Sequence, residues 1–216
     1  MWTLFQHEVK YYFKNIDEVI YITGFFSLMV LAVPLGLQQS QLGALAALAP
    51  AILWMAMVAS IGLGALPLFQ RDAEQGVIEV YQQLPRSLYN VVLAKWLAFY
   101  LVTLVPMLLI LPIFIGLMDI AGASVWHYAA GVTAGVGALS IIATLAAAMT
   151  IGLARARAIS MLIALPLATP VIIFGSEYLR RSGELGEPQL LFLVAFSIFL
   201  LPIMVLASAA CIRASN

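Results

Sequence analysis

Residues 19–70 read VIYITGFFSLMVLAVPLGLQQSQLGALAALAPAILWMAMVASIGLGALPLFQ, 52 consecutive positions without an Asp, Glu, Lys or Arg. One membrane-spanning helix needs roughly 20 mostly apolar residues, so this stretch holds two. Gln38-Gln39-Ser40-Gln41 supplies the polar backbone between them. Outward along the chain the pattern repeats. Residues 96–154 contain one charge, Asp119, and divide around Asp119 to Ser124 into two further spans. Residues 158–176 and 188–212 are charge-free and hold one span each. The expected fold is therefore an all-α integral membrane protein with six transmembrane helices, near 20–37, 46–68, 92–117, 126–153, 159–176 and 190–211.

Composition agrees with that reading. The 216 residues are 64% hydrophobic and 9% charged, against about 25% charged in soluble domains. A small soluble core has too little volume to hide the excess apolar matter, so lipid is the partner implied. Formal net charge is zero, which gives no basic field for nucleic acid. The single cysteine, Cys211, excludes an internal disulfide and a cysteine metal cage. Glu8, Lys10, Lys14, Asp17 and Glu18 precede the first apolar run. That flank does not fit a cleavable signal, so the run is expected as a retained span.

Loop charges orient the bundle. Lys10, Lys14, Arg71, Arg86, Lys95, Arg155, Arg157 and Arg213 fall on one side, and only Arg180 and Arg181 on the other. An excess of Lys and Arg marks the cytoplasm, so both termini are expected there. Residues 1–20 are expected to form an amphipathic interfacial helix. Phe5, Val9, Tyr12, Phe13, Ile16 and Ile20 recur at helical spacing, opposite His7, Lys10, Lys14 and Asp17, and such a helix lies in the membrane surface. Residues 20–216 form the six-helix domain. Within it, Gly131-x-x-x-Gly135 allows close helix contact, as ordinary bundle packing first and as a dimer seam second. Pro34, Pro50, Pro106, Pro112, Pro166, Pro170 and Pro202 lie inside spans, where neighbours must satisfy the freed carbonyls.

The loop 69–90, between spans two and three, is the long cytoplasmic segment. Asp72 followed by Gln75 reads as a capping pair. Val77, Val80, Tyr81 and Leu84 then form one apolar stripe, and Pro85 stops the helix. A helix of about 12 residues is too short to span, with Asp72, Glu74 and Glu79 expected to be exposed. It suits a coupling helix seated in a groove on a cytoplasmic partner, or a surface-lying linker with no partner.

The sequence carries no Gly-x4-Gly-Lys-Ser/Thr loop, so nucleotide phosphates have no cradle in this chain. Nor does it show a His-Glu-x-x-His motif or a paired carboxylate in mid-membrane. Ion-coupled transporters place ionisable groups there; here Asp119 and Lys95 fall at span ends, where Lys95 is expected to snorkel to the surface. The energy source is thus expected outside the chain. Trp126-His127-Tyr128 reads first as an aromatic-belt anchor, with His127 the one candidate for a haem-side ligand.

Three stretches carry a resemblance. Leu68-Phe69-x-x-Asp72-x-x-x-Gly76-x-x-Glu79-x5-Pro85-x9-Lys95, Ala49-Pro50-Ala51-Ile52-Leu53-Trp54 and Leu-Pro-x-x-x-Pro-x-x-Ile-Phe at residues 165–174 resemble the CcmB-type permease subunit of the cytochrome c maturation ABC transporter, often called the haem exporter. The resemblance covers essentially the whole chain. A shorter form of the loop pattern also occurs in related ABC-2-type permeases, so export of a different substrate is the alternative. The resemblance implies a non-catalytic permease in the bacterial inner membrane, with ATP bound by two copies of a separate ATPase subunit. The other implied partners are a second copy of the permease, a haem-handling multi-span membrane subunit, a small single-span subunit and a periplasmic haem chaperone. ATP hydrolysis would help release the haem-loaded chaperone. Asp72, Gly76, Glu79 and Pro85 would form the ATPase-docking coupling helix. No cofactor or metal is expected on this chain itself.

Overall fold

The computed structural model describes residues 2–36, 42–82, 88–118, 120, 124–153, 155–181 and 187–214, without the side chains of 42–46, 82, 157 and 187. The expectations placed on Gln38–Gln41, Leu84, Pro85, Arg86 and Asp119 lie outside those residues. Among the described residues every regular element is helical: α1 (Trp2–Lys14), α2 (Ile16–Gly36), α3 (Leu42–Gly64), α4 (Pro67–Glu74), α5 (Val77–Gln82), α6 (Leu88–Leu117), α7 (Val125–Met149), α8 (Ala156–Arg180) and α9 (Glu187–Ala214). Six stretches are long and apolar enough to cross a membrane, and they coincide with the six expected spans.

Helix α7 is the axis of the bundle. It packs against α3, α6, α8 and α9, and buries residues on all sides over its second half, from Ala138 to Ala148. Its small residues explain why it occupies the centre, since alanine and glycine let neighbouring backbones approach. Trp54 of α3, fully buried, lies in a slot between Gly135 of α7 and Gly175 of α8. A β-carbon on either glycine would land inside the indole ring. Gly131 serves the same end against Tyr178 and Leu179 of α8, at 2.9 and 3.0 Å from a β-carbon built there. Both glycines of the Gly-x-x-x-Gly pair are therefore used inside the bundle. By contrast, α2, α8 and α9 keep many large apolar side chains exposed, among them Leu28, Leu162 and Phe199.

All seven span prolines lie within helices. Several hydroxyls bond back to carbonyls four residues earlier, as from Ser60 to Ala56 at 2.6 Å and from Thr133 to Ala129 at 2.7 Å, so those polar groups need no water. Trp96 Nε1 donates to Ser140 Oγ at 3.0 Å and ties α6 to α7.

Two boundaries differ from expectation. The segment 1–20 is not one helix: α1 ends at Lys14, Asn15 turns the chain, and α2 begins at Ile16. The second span also breaks earlier than residue 68. Helix α3 ends at Gly64, and Pro67 opens α4, a position where its missing N–H costs nothing. One end of the bundle gathers α1, α4, α5, the start of α6 and the end of α9, where Arg213 lies 5.6 Å from the Tyr89 ring centre.

The indole slot makes a direct prediction. Gly175→Ala is expected to destabilise the protein by about 1–3 kcal/mol, the usual range for overpacking. Gly62→Ala, whose methyl would meet only Met161 Cε at 3.5 Å, is expected to be neutral or stabilising. Thermal unfolding in detergent checks the pair, and Trp54→Phe should recover part of the Gly175→Ala loss.

Candidate functional site: a buried ion cluster beneath a glycine elbow

The loop between spans two and three forms an elbow. Helix α4 is held to the core by Leu68 and Phe69, both buried. It ends at Gln75, whose N–H bonds the Arg71 carbonyl at 3.0 Å, and at Gly76, whose N–H bonds the Ala73 carbonyl at 3.3 Å. Gly76 has φ 68°, the left-handed conformation that commonly ends a helix and that glycine adopts without a steric penalty. Helix α5 then starts at Val77 in a new direction. The single helix expected over Asp72–Leu84 is thus two short helices, and Asp72 does not cap its start. Asp72 sits in the last turn of α4.

Nor is Asp72 exposed, contrary to expectation: it is 4% accessible. Its Oδ2 lies 2.9 Å from Lys95 Nζ of α6, and Oε1 of Glu8 from α1 lies 2.9 Å from the same nitrogen. Both contacts are ion pairs by distance, at angles that miss the best hydrogen-bond directions. Lys95 is 1% accessible. The expected snorkelling does not occur, because two carboxylates inside the fold offer the ammonium a closer partner than the membrane surface does. Arg71 surrounds this pair, with its guanidinium 3.7 Å from Glu8, 3.7 Å from Asp72 and 3.5 Å from Glu18 of α2. It also lies 3.6 Å from the centre of the Tyr11 ring, a cation–π contact. The Tyr11 hydroxyl donates to Glu18 Oε1 at 3.1 Å. Four helices, α1, α2, α4 and α6, therefore meet at two cations and three carboxylates.

Tyrosines close the cluster on both sides. Burial first, then the nearby carboxylates of Glu18 and Glu8, push the Tyr12 hydroxyl far above the usual tyrosine range. Burial, then the Asp72 and Glu8 carboxylates, do the same to Tyr81 of α5. Both hydroxyls stay protonated because a phenolate would be a further negative charge in a desolvated, carboxylate-rich site.

Outside the cluster the elbow presents Glu74, Gln75, Gly76, Glu79 and Val80 to solvent. Exposure of Glu74 and Glu79 matches expectation, but the apolar stripe does not. Ile78 is the buried anchor of α5, Tyr81 is half-buried, and Val80 points outward at 54% accessibility. The Gly76 turn rotates α5 relative to α4, so one continuous helical count across both fails. Of the expected docking residues, Asp72 faces the interior, Gly76 makes the bend and Glu79 lies on the outer surface.

His127 stands at the opposite end. Its ring stacks on Tyr178 with centres 4.2 Å apart, and Nε2 donates to the Tyr178 carbonyl at 3.0 Å. Trp126 is 85% exposed, as suits an interfacial anchor. Among the described residues no three His, Cys, Asp or Glu side chains gather as a metal site would require. His127 is accounted for by the contact between α7 and α8.

Glu8, Glu18, Arg71 and Lys95 were not singled out in the sequence as members of one site. A signal existed: Glu8 lies three residues after Phe5 and four before Tyr12, on the apolar face of α1. A carboxylate there needs an internal cation.

Removing Lys95 leaves Glu8 and Asp72 buried with their 2.9 Å partner gone and only Arg71, at 3.7 Å from each, to share; breaking a buried ion pair costs about 3–5 kcal/mol. Lys95→Met alone is therefore expected to lower yield and thermal stability sharply. Glu8→Gln, Asp72→Asn and Lys95→Met combined should recover much of that loss, because no full charge is then stranded between α1, α4 and α6. Thermal unfolding of the single and triple variants checks this. The tyrosines give a pH signature. Their folded pKa values are raised, so the stabilisation is complete below the unfolded value of about 10 and is lost as pH rises above it. Unfolding scans into the alkaline range should show this loss in the wild type and a smaller one in Tyr12→Phe.

The chain matches the family model described as CcmB protein over residues 1–215. It is 34% identical to heme exporter protein B of Paracoccus denitrificans over 192 residues, 88% of each chain. It is 33% identical to heme exporter protein B of Rhodobacter capsulatus over 193 residues, again 88% of each. The likeness to heme exporter protein B of Pseudomonas aeruginosa, 30% over 215 residues, covers 98% of this chain and 96% of that one. With the family match running across all six spans, the elbow and the ion cluster, this chain belongs to the CcmB family.

Proposed function

We propose that the chain is the permease subunit of a haem-export ABC transporter serving cytochrome c maturation, and that the elbow α4–α5 is where a separate ATPase docks. The observation that carries this reading is the contrast between the two sides of the elbow. Its outer side offers two exposed carboxylates, Glu74 and Glu79, on either side of a fixed glycine bend. Its inner side is tied by Asp72 to α1 and α6 through Lys95. A surface that is polar outside and clamped inside can take up displacement from a partner and pass it to membrane helices as a unit. The heme exporter protein B relatives support haem as the cargo of the system.

In this reading the chain itself is non-catalytic, and ATP is bound and hydrolysed by two copies of the ATPase subunit. Two copies of the permease assemble with them, together with a haem-handling multi-span subunit and a small single-span one. The cycle then promotes release of the haem-loaded periplasmic chaperone. The protein sits in the bacterial inner membrane with the elbow, both termini and the positive end of the bundle in the cytoplasm, as loop charge favours.

Glu79 and Gly76 test the docking surface by different routes. Glu79→Lys changes an exposed charge, so insertion and thermal stability should be unaffected. Recovery of the ATPase with the purified permease should fall by roughly ten-fold, as when an interfacial charge pair is lost, and c-type cytochromes should disappear. Gly76→Val should act through the bend, since a left-handed conformation costs a non-glycine residue about 1–2 kcal/mol. Gly76→Asn, which tolerates that conformation, should retain function. Normal cytochrome c levels with both residues replaced would sink the docking assignment. Recovery of an ATPase from native membranes without a haem-handling subunit would instead favour a different cargo.

A further inference from the structure

The exposed side of α1 divides into two strips that the ion cluster does not use. Toward the protein, α1 turns Phe5, Glu8, Val9, Tyr11 and Tyr12 against α6, α2 and Arg71. Its carboxylate, Glu8, is thereby buried, while both of its lysines, Lys10 and Lys14, point outward. Beside the lysines, three turns apart on the same edge, lie Trp2 and Phe13, 68% and 79% exposed. That edge continues across the Asn15 turn into Ile16 and Ile20 of α2, 56% and 58% exposed, on a span whose outer surface faces lipid. The apolar stripe read from the sequence is thus split. Phe5, Val9 and Tyr12 are used by the fold, and Phe13, Ile16 and Ile20 are left to something else.

We propose that this outer edge is a binding surface for anionic phospholipid, with Trp2 and Phe13 inserted at the acyl boundary and Lys10 and Lys14 paired with headgroup phosphates. Three observations fix the occupant. The edge is continuous with the lipid-facing side of a membrane span, so a bilayer reaches it without any rearrangement. Its charge is one-sided: the acid of α1 is consumed internally, and the exposed charges of the helix are the two lysines. Asp17, the exposed acid nearest to them, belongs to the first turn of α2, where the helix N-terminus favours it. An aromatic edge beside lysines is the arrangement of helices that lie in the membrane surface. Each lysine near an anionic surface contributes about 1 kcal/mol, or about five-fold in lipid preference. By fixing α1 from the membrane side, lipid composition would set how firmly Glu8 is presented to Lys95.

The test uses the full chain reconstituted into vesicles of zwitterionic lipid containing brominated phosphatidylglycerol or brominated phosphatidylcholine. Trp2 quenching is obtained as the difference between the wild type and Trp2→Phe, which removes the contribution of Trp54, Trp96 and Trp126. The expected result is a preference of about 25-fold for the phosphatidylglycerol probe, about five-fold from each lysine. The preference should drop about five-fold in Lys10→Gln and again in Lys10→Gln/Lys14→Gln, and should shrink at high salt. Quenching by both probes equally, or a preference unchanged in the double variant, would overturn the headgroup assignment. Trp2 quenched by neither lipid, but shielded when the ATPase is added, would overturn it in favour of a protein partner.

Discussion

The structure depends on one constraint: an ammonium group taken out of water must find negative charge inside the fold. Lys95 lies two turns into a membrane helix and is 1% accessible. An uncompensated charge there would cost several kcal/mol. Two carboxylates compensate it, and they come from two different elements, Glu8 of α1 and Asp72 of α4. The pairing therefore fixes the position of a peripheral helix and of the α4–α5 turn relative to a span. Arg71 and Glu18 extend the arrangement to α2. Such clusters add little net stability, because desolvation offsets the Coulomb gain. Their effect is geometric, since moving both α1 and α4 away from α6 strands the Lys95 charge.

That geometry links the two halves of the molecule. In the membrane, packing is set by small residues along α7 and by the indole of Trp54 between two glycines, which makes the α3–α7–α8 core stiff. At the charged end, packing is set by ions, and the elbow bends at a glycine in a left-handed conformation. Dispersion forces fall away within fractions of an ångström, so the indole slot tolerates little motion. The ion cluster is different: Arg71 already reaches three carboxylates at 3.5–3.7 Å and can exchange partners without leaving a charge unpaired. A surface subject to push and pull is better joined to the membrane by the second kind of contact than by the first.

Much of this was legible in the sequence. Six spans followed from the charge-free runs alone, because the length needed to cross lipid and the cost of charge within it leave little choice. Exposure of Glu79 and the role of the Gly131/Gly135 pair in bundle packing were also readable. The elbow was not. Asp72 and Gln75 have the spacing of a capping pair, and local spacing does not tell a carboxylate that caps a helix from one that faces a lysine 23 positions later. Gly76 was marked as part of a motif, yet its use as a helix terminator depends on φ, which the motif does not state. Lys95 at the edge of an apolar run fits snorkelling and burial equally well until its partners are seen. Glu8 was the informative residue, a lone acid among Phe5, Val9 and Tyr12.

The central claim is that the elbow and α1 form one mechanical unit because both are tied to Lys95. The most direct measurement is the distance between spin labels at Val80→Cys on α5 and Lys14→Cys on α1, both exposed, in a Cys211→Ser background. The account predicts a single narrow distance distribution, which broadens when Lys95→Met is added. A distribution equally broad with Lys95 present would contradict it.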